Sequence, residues 1–342
     1  MALDASFMPQ LKSSAKRLFD LLDKFTQARV LVVGDLTLDE FLTGQVERIS
    51  REAPVLILRH ENTRQVPGGG ANAVYNLAKL GAQVKVAGLV GKDDQGQALR
   101  QIFETAGIDT SGMLLDPPRP TVTKTRISGH ARQSVTQQIV RVDRKSDELP
   151  DPDLQIQLAE YIRQQLETVD AVVCSDYGDG VFTQPVIEAA LCHRQTIVDA
   201  QVSLQRYQGA TLFTPNLPEA EQAVGYAIAS PSAVAQAGRD LLNLTQAQQM
   251  LITRGEEGMS LFDSDGTQQH IPAFNRTDVF DVTGAGDTVV AALTLGLVCG
   301  ASFWEAAVLG NLAASIVVRQ FGTATTSPEE MKAALLGLLE EE

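Results

Sequence analysis

Short apolar runs alternate with amphipathic segments along most of the chain. The runs are rich in β-branched residues and too short for helices, which is typical of strands buried on both faces of a sheet. They predict strands at residues 30–33, 84–90, 171–174, 196–198, 211–213 and 250–252. Between them, apolar residues at helical spacing predict helices at residues 71–80, 95–105, 154–166, 184–192 and 233–244. This alternation indicates an α/β fold with a mainly parallel, doubly wound sheet.

Two segments, at about residues 40–66 and 119–144, interrupt this rhythm. They contain stretches of alternating apolar and polar residues without a helix signal, so they predict antiparallel strands with one solvated face. Because they break the α/β pattern twice, we expect them to form a small β lid on the main domain. An amphipathic helix precedes the first strand. The expected organisation is therefore a helical segment at residues 1–28 followed by one domain at residues 29–342.

The uncharged stretch at residues 288–304 does not predict a membrane-spanning helix. Its 17 residues fall short of the about 20 that cross a bilayer. Gly300 is suited to end one helix, and Ser302 is suited to begin the next. We therefore expect two buried helices joined by a tight turn.

Composition narrows the range of partners. The 342 residues include 28 Lys and Arg against 42 Asp and Glu, which gives a formal net charge of −14. Such a charge, without a run of basic residues, argues against nucleic acid and anionic membranes as partners. The cysteines (Cys174, Cys192 and Cys299) are widely spaced, and the N-terminus lacks the pattern of a secretory signal. We expect a cytoplasmic protein without a disulfide framework.

A glycine-rich turn at residues 67–73 is the first motif that suggests a ligand. Gly68, Gly70 and Ala73 fit the GxGxxA pattern of dinucleotide-binding proteins, but that pattern should follow the first strand directly, and here it does not. A plain flexible turn is the second alternative. Asn72 favours a binding role, because its amide and the exposed N–H groups of a first helical turn can meet the hydroxyl groups of a ligand.

The most specific motif is DVTGAGDT at residues 281–288, at the start of an apolar helix. Gly284 and Gly286 allow backbone N–H groups to turn toward an anion, and the helix dipole adds to the attraction. We expect a positive φ at Gly286. In such a cradle Asp287 makes chemical sense as the acceptor of a proton from a neighbouring hydroxyl group. The alternative is that Asp287 only caps the helix.

A third motif follows the strand predicted at residues 211–213. Asn216 and Glu219 lie on one turn, where they are placed to hold the water shell of a Mg²⁺ ion that accompanies nucleotide phosphates. Favourable placement of Glu219 at a helix N-terminus explains this motif equally well. Further along, residues 253–258 are suited either to a loop over a nucleotide or to a plain hairpin turn. The chain has no P-loop, HExxH or GxSxG sequence.

The order of these motifs, together with Asp35 and Asp39 after the first strand, resembles the ribokinase-like (PfkB) carbohydrate kinase family over about residues 29–340. Segments 34–39, 48–55, 123–126, 175–177 and 206–210 are similar to the heptose 7-phosphate kinases of that family. The resemblance implies a three-layer α/β/α fold with a mainly parallel central sheet and a small β lid. It also implies an ATP- and Mg²⁺-dependent kinase of a sugar or sugar-phosphate hydroxyl, with heptose 7-phosphate as the first candidate, and a homodimer formed through the lid.

The resemblance assigns roles to matching positions. Asp287 is the expected base, and the expected anion hole is the backbone of Gly284, Ala285, Gly286 and Asp287. The expected sugar contacts are Asp35, Asp39, Gly69, Gly70, Asn72, Lys124 and Arg141. The expected nucleotide contacts are Asn216, Thr253, Gly255, Gly258 and Asn311. Asn216 and Glu219 are expected to organise Mg²⁺ through water, and the backbone around Asp281 and Thr283 is suited to a monovalent cation such as K⁺.

Two positions depart from the heptose kinases. Asp179 and Gln201 stand where those enzymes carry lysines suited to phosphate groups. The departures leave two alternatives: a kinase of an unphosphorylated sugar or nucleoside, or a catalytically silent protein that binds a sugar or nucleotide. A dinucleotide-dependent oxidoreductase is a more distant alternative. Because the chain has no HxGH motif, we expect no nucleotidyltransferase activity.

Overall fold

The computed structural model describes residues 7–131, 136–275, 279–320 and 322–340. Its strands, in chain order, are β1 (Arg29–Gly34), β2 (Leu36–Ile49), β3 (Leu56–Gly69), β4 (Gln83–Val90), β5 (Asp109–Leu115), β6 (Val122–His130), β7 (Gln137–Arg144), β8 (Ala171–Asp176), β9 (Thr196–Ala200), β10 (Leu212–Phe213), β11 (Gln249–Thr253), β12 (Met259–Asp263) and β13 (Gln268–Ile271). Its α-helices are α1 (Phe7–Leu22), α2 (Gly70–Lys79), α3 (Asp94–Thr105), α4 (Pro152–Gln165), α5 (Gln184–Leu191), α6 (Leu217–Val224), α7 (Pro231–Thr245), α8 (Ala285–Val298), α9 (Phe303–Val317) and α10 (Pro328–Glu340).

The main sheet contains nine strands in the order β13-β12-β11-β10-β9-β8-β1-β4-β5. The strands from β5 to β11 pair in parallel, whereas β11, β12 and β13 pair in antiparallel fashion. The predicted mainly parallel sheet is therefore confirmed. The sequence pattern missed β5, β12 and β13. β5 and β13 are edge strands with several exposed polar residues, and β12 is a short strand in the hairpin that ends the sheet.

Helices cover both faces of the main sheet. In β1, Val30 and Val32 belong to a core that includes residues of α1, α2, α3, α8, α9 and α10. Leu31 and Val33 belong to a second core that includes residues of α4, α5, α6 and α7. Successive side chains of a strand point to opposite faces, so one fully buried strand supplies both cores. The molecule thus has the expected three layers.

The uncharged stretch forms two buried helices, α8 and α9, as the sequence predicts. Gly300 ends the first with a φ of 86°. Ser302 caps the second: its hydroxyl accepts the N–H of Glu305, and the Glu305 carboxylate accepts the N–H of Ser302. Within the described ranges, every helix is either too short or too polar to cross a bilayer.

A second sheet has four strands in the order β3-β2-β6-β7. β2 pairs with β3, and β6 with β7, in antiparallel fashion, but β2 and β6 are parallel. The expectation of antiparallel pairing throughout is wrong for this pair. β2 follows the carboxyl end of β1, and β6 follows the carboxyl end of β5, so both enter the second sheet from the same side. Residues 132–135 of the expected lid, and residues 1–6 of the expected helical segment, lie outside the described residues.

Candidate functional site

Asp287 lies in the first turn of α8 and is almost completely buried. Asn72 Nδ2, from the first turn of α2, donates a hydrogen bond to Asp287 Oδ2 at 2.8 Å. The Tyr177 hydroxyl, just after β8, donates to Asp287 Oδ1 at 2.9 Å. A carboxylate offers about four lone-pair positions, so each oxygen retains the capacity to accept a proton from a ligand.

Burial is the largest influence on the ionisation of Asp287 and raises its pKa to about 6. The hydrogen bonds from Asn72 and Tyr177 lower this pKa, as does the charge of Lys124, whereas Asp39 raises it. The carboxylate is therefore ionised at neutral pH while its pKa stays close to the pH of the surroundings. That combination favours general-base catalysis.

The turn before α8 leaves two backbone donors beside Asp287. The N–H of Ala285 donates to the carbonyl of Val282 at 3.1 Å, so it is used within the protein, contrary to expectation. In the described part of the chain, the N–H groups of Gly286 and Asp287 have no protein acceptor. They lie at the positive end of a helix, where an anion binds favourably. The left-handed residue is Gly284, at φ 77°, and not Gly286 as expected.

Asp35 is fully buried between the two sheets and accepts three backbone N–H groups. Asp35 Oδ2 accepts from Tyr177 at 2.8 Å and from Asp179 at 3.1 Å, and Oδ1 accepts from Val181 at 3.1 Å. Burial and the neighbouring charge of Asp176 raise the pKa of Asp35 to about 7. The sequence predicts a sugar contact here. The structure gives this carboxylate a role in holding the loop after β8.

The glycine-rich turn meets the second sheet at the same place. Gly69 is the N-cap of α2, Gly70 is its first residue, and Asn72 follows on the same turn. Asp39 in β2 is buried, and its Oδ1 forms an ion pair with Arg126 Nη1 at 2.8 Å. These groups provide carboxylate, guanidinium and amide partners for the hydroxyl groups of a sugar next to Asp287.

The two predicted cations of the second sheet lie in different places. Lys124 Nζ is 5.6 Å from the centroid of the Tyr177 ring and acts electrostatically on Asp287. Arg141 lies on the edge strand β7, where its guanidinium makes two hydrogen bonds of 2.8 Å to Asp143. The structure thus places Lys124 near Asp287, whereas Arg141 forms an ion pair on the exposed strand.

A cavity of about 160 Å³ beside Asp287 is strongly acidic. Its lining includes the carboxyl groups of Asp176, Asp199, Glu219 and Asp287 and, among the described residues, no Lys or Arg. Asn216 and Glu219 form a capping box at α6, each side chain accepting the backbone N–H of the other residue at 2.9 Å. The interpretation of Glu219 as a residue that stabilises the helix N-terminus is therefore confirmed. No group of three or more His, Cys, Asp or Glu residues among the described ones is arranged to hold a metal ion. The carboxylate and amide oxygens here are of the type that Mg²⁺ prefers.

A second cavity, of about 480 Å³, is lined mainly by apolar side chains. All the predicted nucleotide contacts after Asn216 line it: Thr253, Gly255, Gly258 and Asn311. Asn311 Nδ2 also donates to the carbonyl of Pro272 at 2.7 Å. Thr253 and Gly286 line both cavities, so the apolar and acidic spaces form one continuous cleft. Such a cleft has the size and character of a site for a nucleoside followed by polar groups.

Asp281 connects the turn before α8 to the segment after α9. Its Oδ1 accepts the N–H of Thr283 and its Oδ2 the N–H of Gly322, both at 2.9 Å. Partial burial opposes ionisation, but these hydrogen bonds hold the pKa of Asp281 below its ordinary value. A fixed negative charge therefore lies where the sequence predicts a monovalent cation.

Sequence reasoning did not include Tyr177 among the site residues, and it considered Arg126 only as one of the cations in or beside the expected lid, where the far end of a sugar would lie. Both residues lie in segments that carry the resemblance, at 175–177 and 123–126, which is the only sequence signal for Tyr177. Tyr177 and Asp287 are 110 positions apart, and Arg126 and Asp39 are 87 apart. Motif spacing gives no information on contacts of this range.

The chain is similar to known proteins over most of its length. The model of the pfkB family carbohydrate kinases matches residues 27–330. "Bifunctional protein HldE" of Geobacter metallireducens is 43% identical over 316 residues, covering 90% of this chain and 63% of its own length. The protein of the same name from Desulfatibacillum aliphaticivorans is 42% identical, covering 91% of this chain and 64% of its own. The chain thus spans less than two thirds of these relatives.

Solved structures show the same fold at low sequence identity. Phosphofructokinase-2 from Escherichia coli, solved in complex with potassium, has a TM-score of 0.73 at 20% identity and covers 91% of this chain and 99% of its own. Ribokinase from Arabidopsis thaliana, complexed with ribose and ATP, has a TM-score of 0.68 at 20% identity and covers 92% of this chain and 99% of its own.

Gly284, just before α8, and Gly286, in its first turn, make a matched pair for a stability test. Gly284→Ala is expected to lower the melting temperature, because the left-handed conformation costs alanine about 1–2 kcal/mol. Its Cβ would also lie 2.5 Å from Asn72 Nδ2. In Gly286→Ala the new Cβ meets nothing within 4 Å, and alanine is the better helix former by about 1 kcal/mol. Thermal unfolding of both variants checks the turn. A Gly284→Ala variant as stable as the unchanged protein would contradict it.

Proposed function

Because the chain belongs to the pfkB family of carbohydrate kinases, we propose that it transfers the γ-phosphoryl group of ATP to a hydroxyl group of a sugar or sugar phosphate. One observation carries the proposal. Asp287 is a buried carboxylate with a pKa of about 6, and it lies beside two backbone N–H groups that have no acceptor among the described residues, where the acidic and apolar cavities meet.

In the proposed reaction, Asp287 accepts the proton of the attacking hydroxyl as its oxygen bonds to the γ-phosphorus. The bond from that phosphorus to the bridging oxygen breaks, and ADP leaves with the electron pair. The N–H groups of Gly286 and Asp287 face the negative charge of the transferring group. Phosphoryl transfer depends mainly on alignment and on stabilisation of this charge, and fixed backbone donors supply such stabilisation without reorganising.

We assign the apolar cavity to the nucleoside of ATP and the acidic cavity to its phosphates. The described residues that line the acidic cavity include four acidic side chains and no basic one, an arrangement that favours a polyphosphate accompanied by cations. A hydrated Mg²⁺ held by Asn216 and Glu219 neutralises that charge when bound. A monovalent cation beside Asp281 and Thr283 is the corresponding proposal for the turn before α8. The neighbour solved with potassium has the same fold.

Heptose 7-phosphate is the first substrate candidate. The support is the resemblance to heptose kinases together with relatives at 40–43% identity over about nine tenths of the chain. Asp179 favours the alternative, an unphosphorylated sugar. Its carboxylate lies 3.9 Å from Lys145 Nζ. Burial raises the pKa of Asp179, while Lys124, Lys145 and Arg119 lower it. This carboxylate therefore competes with a substrate phosphate for the nearby cations.

We further propose that the second sheet acts as a lid and forms a homodimer interface. β7 is an edge strand on which every residue is exposed, including Ile139, Val140 and Val142. Ile49 and Leu56, at the far ends of β2 and β3, are exposed as well. An apolar edge strand of this kind is a site for pairing with another chain. A second copy of the chain presents the same edge strand, so that pairing of the two strands covers the exposed apolar residues of both copies.

Asp287→Asn is expected to lower the turnover number by about 10²–10⁴-fold, since the amide cannot accept the hydroxyl proton. Nucleotide affinity and the melting temperature are expected to change little. Steady-state kinetics with heptose 7-phosphate and with unphosphorylated sugars checks this, with Asp265→Asn on an exposed turn as the control. If the turnover number of Asp287→Asn stayed within a few-fold of that of the unchanged protein, the assignment of Asp287 as the base would be contradicted.

Asp179→Lys is expected to raise the ratio of kcat/KM for a phosphorylated sugar to that for its unphosphorylated form. Two negative charges about 5 Å apart repel by roughly 3 kcal/mol at an effective dielectric constant near 20. Removing that repulsion would raise the kcat/KM ratio by as much as about a hundredfold. Asp265→Lys, on the exposed turn, controls for net charge. An unchanged ratio would show that Asp179 is remote from any substrate phosphate.

Val142→Asp is expected to shift the dimer toward monomer, because the exposed strand β7 would then bury a charge in the interface. Sedimentation velocity over a range of concentrations measures the shift. Leu336→Asp places the same change on α10, where the leucine is also half-exposed, and is expected to leave the dimer intact. Equal dissociation of the two variants, or a monomeric unchanged protein, would refute the proposed interface.

A further inference from the structure

The loop at residues 177–181 closes around the side chain of Asp35. The N–H groups of Tyr177, Asp179 and Val181 all donate to this carboxylate, at 2.8, 3.1 and 3.1 Å. The two residues between them, Gly178 and Gly180, have φ values of 78° and 98°. Left-handed residues in a loop help to turn backbone N–H groups toward one point and make a concave site that favours an anion. Here the N–H groups of alternate residues point inward, while that of Gly178 donates to Asp176 Oδ1. The group that fills the site is a carboxyl group of the protein itself.

This arrangement fixes the first residue of the loop, Tyr177. Its backbone is attached to Asp35, and its hydroxyl reaches Asp287 Oδ1 at 2.9 Å. On the other side of the base, Asn72 donates to Asp287 Oδ2, and Asn72 is itself held by Asn76, whose Nδ2 donates to Asn72 Oδ1 at 3.1 Å. Each oxygen of the base therefore has one donor, and each donor is anchored independently of the other.

We propose that Tyr177 is a positioning residue for Asp287, and that Asp35 holds Tyr177 in place through the 177–181 loop. This inference rests on the proposed role of Asp287 as the base. The Tyr177 hydroxyl stabilises the ionised carboxylate and fixes its plane, while the second lone pair on Oδ1 stays available for the proton of the attacking hydroxyl.

The electrostatic surroundings of the base determine what loss of this hydrogen bond does. Lys124 on β6 lowers the pKa of Asp287, Asp39 on β2 raises it, and Asp199 at the end of β9 is a further carboxylate coupled to it. None of these charges depends on the Tyr177 hydroxyl. Removing that hydroxyl therefore removes one of the groups that counteract the effect of burial on the pKa of Asp287, and this pKa rises from about 6.

The test compares the pH dependence of kcat/KM in the unchanged protein and in Tyr177→Phe. The acid limb, which reports protonation of Asp287, is expected to move upward by about one pH unit. The KM for ATP is expected to stay within about twofold. Tyr226→Phe is the matched control, because the Tyr226 hydroxyl also donates to a carboxylate, Asp240 Oδ2 at 2.7 Å, on the exposed surface. Its acid limb is expected to stay in place.

A direct titration separates this inference from the proposed function. With ¹³C-labelled aspartate, the Asp287 carboxyl resonance is identified by its loss in Asp287→Asn, and its titration needs no substrate. A higher midpoint in Tyr177→Phe than in the unchanged protein supports the inference even if no kinase activity is found. An unchanged midpoint, or an unchanged acid limb in a variant that merely loses turnover, overturns it. Failure of the proposed function appears instead as unchanged turnover in Asp287→Asn.

Discussion

The architecture of the cleft depends on keeping one buried carboxylate ionised. The Asp287 side chain is almost completely shielded from solvent, and burial alone would favour its neutral form. The counteracting groups come from three separate parts of the fold: Asn72 from α2, Tyr177 from the loop after β8, and Lys124 from the second sheet. Because each part must be in place to stabilise the same charge, the main sheet, its helical layer and the second sheet meet at this point.

Part of the negative charge of the chain lies at the cleft. Four carboxylates line the cavity beside Asp287, and Asp35 and Asp39 are buried close by. Such a concentration of like charge is unfavourable for folding, and a structural role accounts for only part of it, since Asp35 holds a loop and Glu219 caps α6. Under the proposed function, the other acidic side chains of the cavity contribute to nucleotide binding. The cavity admits phosphates only when they arrive with cations, so nucleotide binding depends on the metal.

The sequence predicted those features that depend on local patterns. Apolar runs identified six buried strands of the main sheet, namely β1, β4, β8, β9, β10 and β11, and Gly300 with Ser302 identified the break between α8 and α9. The glycines before α8 indicated an anion cradle, although the backbone conformation made Gly284 and not Gly286 the left-handed residue. Long-range features were beyond this reasoning. The parallel pairing of β2 with β6 and the contact of Tyr177 with Asp287 depend on how distant segments come together. The ion pair between Arg141 and Asp143 is local, since residues two apart on a strand share a face, but the sequence reasoning did not consider it.

A single residue, Asp35, separates the end of β1 from the start of β2. The second sheet therefore has no flexible linker on this side, and any swing of that sheet relative to the main one has to be absorbed by backbone torsions at this residue. The same residue anchors the loop that carries Tyr177. Under the proposed function, the hinge and the catalytic residues therefore coincide. A closing motion of the second sheet would reach the Tyr177 hydroxyl through Asp35, so that opening the cleft would also change the orientation of Asp287.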